Sequence, residues 1–190
     1  MTTTRLEAFS DGVIAILITV MVLELKVPHG TDKEALAPLL PIFLTYVLSF
    51  VYLGIYWSNH HHMLHVTGRV NGAVLWANLH LLFWLSLTPF ATGWMGENHL
   101  APLPTAVYGG VLLCAAIAYT ILQSTIIRLE GPQSKLAAAV KKDVKGKLSM
   151  LLYAAAIPLA FVRSWISAVV YVVVALMWLV PDRRIESRLS

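Results

Sequence analysis

RLEAFSDGVIAILITVMVLELKVP, residues Arg5 to Pro28, reads as an apolar helix with charged or hydroxyl-bearing residues at both ends and a threonine inside. Between Asp11 and Glu24 lie only the 12 uncharged residues from Gly12 to Leu23. A lipid-facing helix needs roughly 20 apolar residues to cross a bilayer. The stretch is too short for that task alone. It reads as a helix sheltered by protein, its polar ends in water or in a hydrogen-bonded network. Ile16, Thr19, Val20 and Leu23 fall at i, i+3, i+4 and i+7 and share one helical face, which Gly12 and Val13 extend toward the helix start. From spacing alone this is first a packing face, with Thr19 bonding back to a carbonyl one turn earlier. The sharper reading is a pore wall of branched apolar side chains, which can gate conduction by dewetting.

The rest of the chain supplies the setting. Of its 190 residues, 58% are hydrophobic and 13% charged, and the mean hydropathy is +0.72. Soluble domains average about 45–50% apolar and about 25% charged residues. The composition is that of an all-α integral membrane protein with little soluble mass and membrane lipid as its solvent. The net charge of +4 does not indicate a nucleic-acid partner, because the basic residues sit beside apolar runs. The single cysteine, Cys114, excludes an intrachain disulfide and a metal site of several thiolates. Arg5, Glu7 and Asp11 come too early for a cleavable signal peptide.

Outward from the first helix, the apolar runs predict six transmembrane segments in one domain, at about 6–27, 35–62, 70–93, 105–127, 148–162 and 164–180. Pro28, His29 and Gly30 end the first, and Pro38 and Pro41 sit in the first turns of the second, where a missing N–H costs little. HHHMLHVTGR reads as a polar turn after the second, and Pro89 predicts a kink in the third. The last apolar run, Leu148 to Val180, is 33 residues long. One helix of that length would span about 50 Å against a hydrocarbon core of about 30 Å. Arg163 and Ser164 lie near its middle, so it divides there into a helical hairpin; five spans are the alternative count. With six, 11 of the 14 Lys and Arg residues fall on one side. Basic residues favour cytoplasmic loops, which places both termini in the cytoplasm.

Three polar groups interrupt the apolar pattern. Arg5, Ser10 and Asp11 gather at the start of the first helix, where burial is costly without partners. The plain reading is a helix cap at Ser10 or Asp11, with Arg5 anchored to headgroups. Trp57, Asn59, His60, His61, His62 and His65 form the second group and return to the same membrane face if the first two segments are antiparallel. Neighbouring helical residues point about 100° apart, so three adjacent histidines do not share one ion; His61 and His65, at i and i+4, are the better spaced pair. A pH-sensitive interface is the more natural use of this cluster, and no metal site is expected. Asn78 and His80 are the third group, read as helix–helix hydrogen bonds. Gln123, Ser124 and Thr125 read the same way, and Glu24 and Lys26 as an external charged ring or ordinary interface charges. No nucleophile elbow, HExxH motif, nucleotide loop or TVGYG filter occurs.

Arg5, Phe9, Ser10 and Asp11, in the order R-x-x-x-F-S-D before an Ile/Val/Leu-rich helix, resemble the signature of the transmembrane protein 175 family, the endosomal and lysosomal potassium channels and their bacterial relatives. Trp57-x-x-His60-His61 and Asn78 followed by Ser86-Leu87-Thr88-Pro89-Phe90 agree with it. The resemblance covers all six segments and is most specific on the first. It implies a potassium channel without a re-entrant filter, and for a chain with one six-helix repeat a homotetramer whose first helices surround a central pore. It implies a main constriction at Ile16 and further layers at Thr19 or Val20 and at Leu23. It also implies that Arg5, Phe9, Ser10 and Asp11 hold the first helices to their neighbours, with Trp57, His60 or His61, and Asn78 as partners. The permeant ion is then potassium, with other monovalent cations behind it, and no cofactor is expected.

The runner-up is a small proton-linked secondary transporter with Asp11 and the histidine cluster as relay. A structural membrane protein, with the first helix as an oligomer seam, comes third, and an enzyme last. The location expected is the cell membrane.

Overall fold

The computed structural model describes residues 2–140 and 143–179. Among the described residues every regular element is helical: α1 (Thr3–Leu23), α2 (Leu40–His65), α3 (Gly72–Ser86), α4 (Thr88–Glu97), α5 (Pro102–Glu130), α6 (Lys135–Val140) and α7 (Val144–Leu179). Two single 3-10 turns, Lys33–Ala35 and Ala37–Leu39, lead into α2. Five helical stretches have the length and apolar composition to cross a membrane: Thr3–Leu23, Lys33–His65, Gly72–Glu97, Pro102–Glu130 and Val144–Leu179. The expected end of the sixth segment at Val180, and the basic residues Lys141, Lys142, Arg183, Arg184 and Arg188, lie outside the described residues.

Local chemistry explains the breaks. α1 begins at Thr3, so Ser10 and Asp11 lie in its interior and cap nothing; it ends at Leu23, before the charges of Glu24 and Lys26 and well before Pro28. Asp32 accepts from the Ala35 N–H at 3.1 Å to start the first 3-10 turn. Asn71 caps α3 by accepting from the Val74 N–H at 3.0 Å. The third apolar run breaks at Leu87, and Pro89 lies in the first turn of α4, where it has no N–H to lose. α5 stops at Gly131, whose φ of +95° suits a residue without a Cβ. HHHMLH is not a turn: α2 runs through it to His65, because nothing in the run breaks a helix until Val66 and Gly68.

α7 is interrupted at Arg163, whose φ of −154° and ψ of 99° are extended. The arms on either side, 144–162 and 164–179, fold back on each other. Ser167 Oγ donates to the Ala156 carbonyl at 2.7 Å, Trp178 Nε1 donates to Ser149 Oγ at 2.9 Å, and the Tyr153 and Tyr171 rings lie 6.4 Å apart. Those pairs step away from Arg163 in opposite directions, the geometry of an antiparallel hairpin.

α7 packs on α5, α3 on α5, and α4 on α2, while α1 lies across α2, α3 and α4. One buried cluster joins Leu6, Ile14, Leu17 and Met21 of α1 to Leu53, Leu81, Leu85 and Leu122. The other gathers Tyr52, Met95, Tyr108, Tyr153 and Tyr171. Tyr52 donates to the Tyr171 carbonyl at 2.6 Å, and Tyr171 to the Thr105 carbonyl at 3.0 Å. Lipid tails are as apolar as leucine, so such close packing and interhelical bonds, rather than escape from water, hold helices together in a bilayer. Two glycines permit the closest approaches. A Cβ at Gly109 would overlap the Tyr171 hydroxyl, and one at Gly96 would lie 2.9 Å from the Ile42 Cα.

Candidate functional site

α1 has two apolar faces with different fates. Leu6, Ser10, Ile14, Leu17 and Met21 are buried, at spacings of three and four, and turn toward α2, α3 and α4. The opposite face carries Phe9, Gly12, Ile16, Thr19, Val20 and Leu23, all exposed; Ile16 is 61% and Leu23 78% accessible. Ile16, Thr19, Val20 and Leu23 are thus not a packing face within this chain. Thr19 Oγ1 donates to the Ile16 carbonyl at 2.9 Å. Its one proton is spent inside the helix, which leaves oxygen lone pairs on the exposed face.

The buried face carries a polar chain across three helices. Ser10 Oγ donates to the Leu6 carbonyl at 2.9 Å, Asn78 Nδ2 of α3 donates to Ser10 Oγ at 2.9 Å, and His60 Nε2 of α2 lies 2.7 Å from Asn78 Oδ1. All three residues are fully buried. The donors sort themselves: Ser10 uses its proton on Leu6 and accepts from Asn78, so the amide oxygen faces His60 and accepts from an Nε2–H. A linear chain with each donor matched to one acceptor is the arrangement a dry interior tolerates.

The other expected partners stand apart from this chain. His61 Nδ1 pairs with Glu7 Oε1 at 2.7 Å, and the His61 ring stacks on Trp57 at 6.3 Å. Trp57 is 47% exposed and donates to nothing among the described residues. Asp11 is half-buried; its Oδ1 is enclosed and has no hydrogen-bond partner among the described residues, and neither does His60 Nδ1. Arg5 and Phe9 are exposed, and the Arg5 side chain makes no ion pair among the described residues. So Ser10, His60 and Asn78 come together within the protomer. Arg5, Phe9, Asp11 and Trp57 are left at its surface on the same end.

Glu7 is the partner of the histidine cluster that sequence reasoning passed over. Its signal was its position one turn before Asp11, on the helix end that the histidines face. His80 bonds within its own helix, accepting from Trp84 Nε1 at 2.9 Å, and Thr125 bonds back to the Ile121 carbonyl at 2.7 Å. Neither joins two helices. Lys26 pairs with Glu97 Oε1 at 2.6 Å, which ties the C-terminal end of α1 to α4. The Glu97 contact raises the Lys26 pKa above its ordinary value. Among the described residues no three His, Cys, Asp or Glu side chains converge as a metal site.

Known proteins resemble this chain in sequence and in fold. Residues 5–89 match the family described as endosomal/lysosomal potassium channel TMEM175. A potassium channel of Chryseobacterium sp. (strain P1-3) is 55% identical over 190 residues, which is 100% of this chain and 99% of the relative. A potassium channel of Streptomyces collinus is 32% identical over 185 residues, covering 92% of this chain and 90% of that one. The crystal structure of a lysosomal potassium-selective channel TMEM175 homolog from Chamaesiphon minutus superposes with a TM-score of 0.80 at 32% identity, over 93% of this chain and 96% of the other.

Proposed function

The chain belongs to the TMEM175 family, as a bacterial-type member, and from that membership we propose that it is a potassium-permeable cation channel of the cell membrane. Four protomers surround a pore lined by the exposed face of α1, with Ile16 as the constriction and Thr19, Val20 and Leu23 as further layers. Each protomer crosses the membrane six times, the two arms of α7 counting separately, with both termini in the cytoplasm. The observation that carries this reading is the face of α1 that its own protomer leaves uncovered, with Ile16 61% exposed at its centre. An uncovered apolar face on a helix with charged residues near both ends suits a symmetry axis better than lipid.

The chemistry follows from the side chains. A ring of four isoleucines offers no ligand, so a cation passing it sheds part of its water, and potassium does so at less cost than sodium. A ring that narrow and apolar also holds water poorly, so the same residue gates. One turn on, Thr19 presents oxygen lone pairs without a competing proton and coordinates the cation as it leaves the apolar ring. The exposed Phe9, Arg5 and Trp57, with the half-buried Asp11, lie on one end of the protomer and meet neighbouring protomers there, while the Ser10–Asn78–His60 chain fixes α1 within its own.

The transporter reading is the weaker. A relay needs Asp11 in hydrogen-bonded contact with a histidine, and among the described residues it has none: His60 Nε2 meets Asn78, His61 Nδ1 meets Glu7, and Asp11 Oδ1 and His60 Nδ1 both stand without a partner.

Flux measurements on purified protein in liposomes test the channel. Wild type is expected to pass potassium faster than sodium down either gradient without a coupled ion. Ile16→Asn is expected to raise total flux about tenfold or more and to bring the two ions closer together. Unchanged flux and unchanged preference in that variant would remove Ile16 from the pathway.

A further inference from the structure

A cleft of about 320 Å³ opens between α2, α5 and α6, at the end of the bundle that carries the histidines of α2. That volume falls within the range of small-molecule sites, about 300–1,000 Å³. Its polar lining includes Asn59, His62, Gln123, Ser134 and Lys135; Met63, Val66 and Leu136 form part of its apolar wall.

Gln123 is the informative residue. It is only 9% exposed, it faces the cleft, and its side-chain amide makes no hydrogen bond among the described residues. A buried amide brings two donors and an acceptor, and in a settled interior they have partners. Among the described residues Gln123 does not form the expected tie between helices. Its amide reaches into the cleft.

Charge selects what enters. Lys135 and His62 line the cleft, and among the described residues no carboxylate does. Lys135 has no ion pair among the described residues. Asp143 lines a smaller cleft of about 50 Å³ that shares Asn59 and Tyr119 with this one, and its Oδ1 accepts from the Gly146 N–H at 2.8 Å. The Glu130 carboxylate at the end of α5 is taken by the Gly68 N–H. Among the described residues an anion meets the Lys135 ammonium, the His62 imidazole and the Gln123 amide, with apolar wall beside them. The site lies at the ends of membrane-length helices, where phosphate headgroups are found, and basic pockets at that level take anionic headgroups.

We propose that this cleft binds the phosphate headgroup of an anionic phospholipid. Lys135 and the Gln123 amide donate to the phosphate oxygens, and Met63, Val66 and Leu136 pack against the glycerol and the first acyl carbons. Free glycerol phosphate offers the same head without the chains. The inference is independent of the permeation pathway, because no residue of the exposed α1 face lines the cleft.

The test is a binding titration of the full-length protein in neutral detergent with fluorescent phosphatidylglycerol, phosphatidylcholine or glycerol 3-phosphate. Phosphatidylglycerol is expected to bind about tenfold or more tighter than phosphatidylcholine. Lys135→Glu and Gln123→Leu are each expected to weaken it by about tenfold, the usual effect of losing one hydrogen bond to a charged group. Lys26→Glu, on a different loop, leaves it unchanged. Lys135 is exposed, so its replacement disturbs no packing, and a melting temperature identifies any folding defect in Gln123→Leu. Equal affinity for the two lipids, or no change in the Lys135→Glu variant, overturns the proposal. So does glycerol 3-phosphate binding as tightly as the lipid with the same variant sensitivity, which would make the source a soluble phosphate.

Discussion

The two faces of α1 are built from nearly the same residues and differ in what covers them. Ile14 is 1% exposed and Ile16, two residues on, is 61% exposed. Leu17 and Met21 pack into the protomer; Val20 and Leu23 do not. The buried face is interrupted once by a polar residue, Ser10, which accepts from Asn78 of α3, and Asn78 in turn meets His60 of α2. The exposed face is interrupted by Thr19, which turns its proton back into its own helix. Composition and period make both faces look like core. Only the packing of the other helices distinguishes a face that holds the protomer together from one kept for a second purpose.

The largest effect expected separates the two isoleucines. Ile14→Ala removes packed side chain from a closed interior and should cost about 2–5 kcal/mol of protomer stability, with a void left behind. Ile16→Ala removes side chain that touches little and should leave the unfolding midpoint in detergent nearly unchanged while it alters ion flux. Paired unfolding and flux measurements on the two variants check this. If α1 were instead an oligomer seam, Ile16→Ala would loosen the assembly without creating a leak, and size-exclusion chromatography would show it.

The next effect lies in the polar chain. Asn78→Leu keeps the size of the side chain and removes both of its bonds. Ser10 retains Leu6, but His60 is left with a buried N–H and no acceptor, which should cost about 1–3 kcal/mol. Glu7→Gln, at a pair whose histidine side chain is 45% exposed, should cost about 0–1 kcal/mol. Chemical unfolding of both variants in the same detergent ranks them. Equal losses would mean that the Ser10–Asn78–His60 chain holds α1 no better than a surface contact does.

Much of this was legible in the sequence, and the gaps have physical causes. A 33-residue apolar run with Arg163 near its middle had to break, and it breaks there. Asn78 inside an apolar run had to find partners, and it found two. The continuation of α2 through His60–His65 was not legible. Three adjacent histidines look like a polar loop, yet in a helix they point in different directions: His60 goes into the core, His61 to Glu7 and His62 to the cleft. The state of the α1 face was not legible either, because period marks a shared face and is silent about what lies opposite. Nor did Gln123 announce itself, since an amide near a helix end reads as a tie between helices until its surroundings are known.

The smallest effect expected is at the far end of α1, where the chain leaves the helix through Glu24 and Lys26. The Lys26–Glu97 pair is fully solvated on the lysine side, so it should contribute little, and less at high salt. Its pH dependence still has a definite sign. Glu97 raises the Lys26 pKa above the ordinary 10.5, so the contribution is fully present below 10.5 and is lost as the pH climbs through the raised value. Wild type and Lys26→Met should therefore differ by a constant amount from neutral pH to about pH 10 and converge above it, while Asn78→Leu keeps its deficit throughout that range. Convergence near neutral pH would assign the difference to some other group. A gap as large as that of Asn78→Leu would mean that the exposed end of α1 is held as firmly as the buried one, and the contrast between the helix's two faces would then be the wrong one to draw.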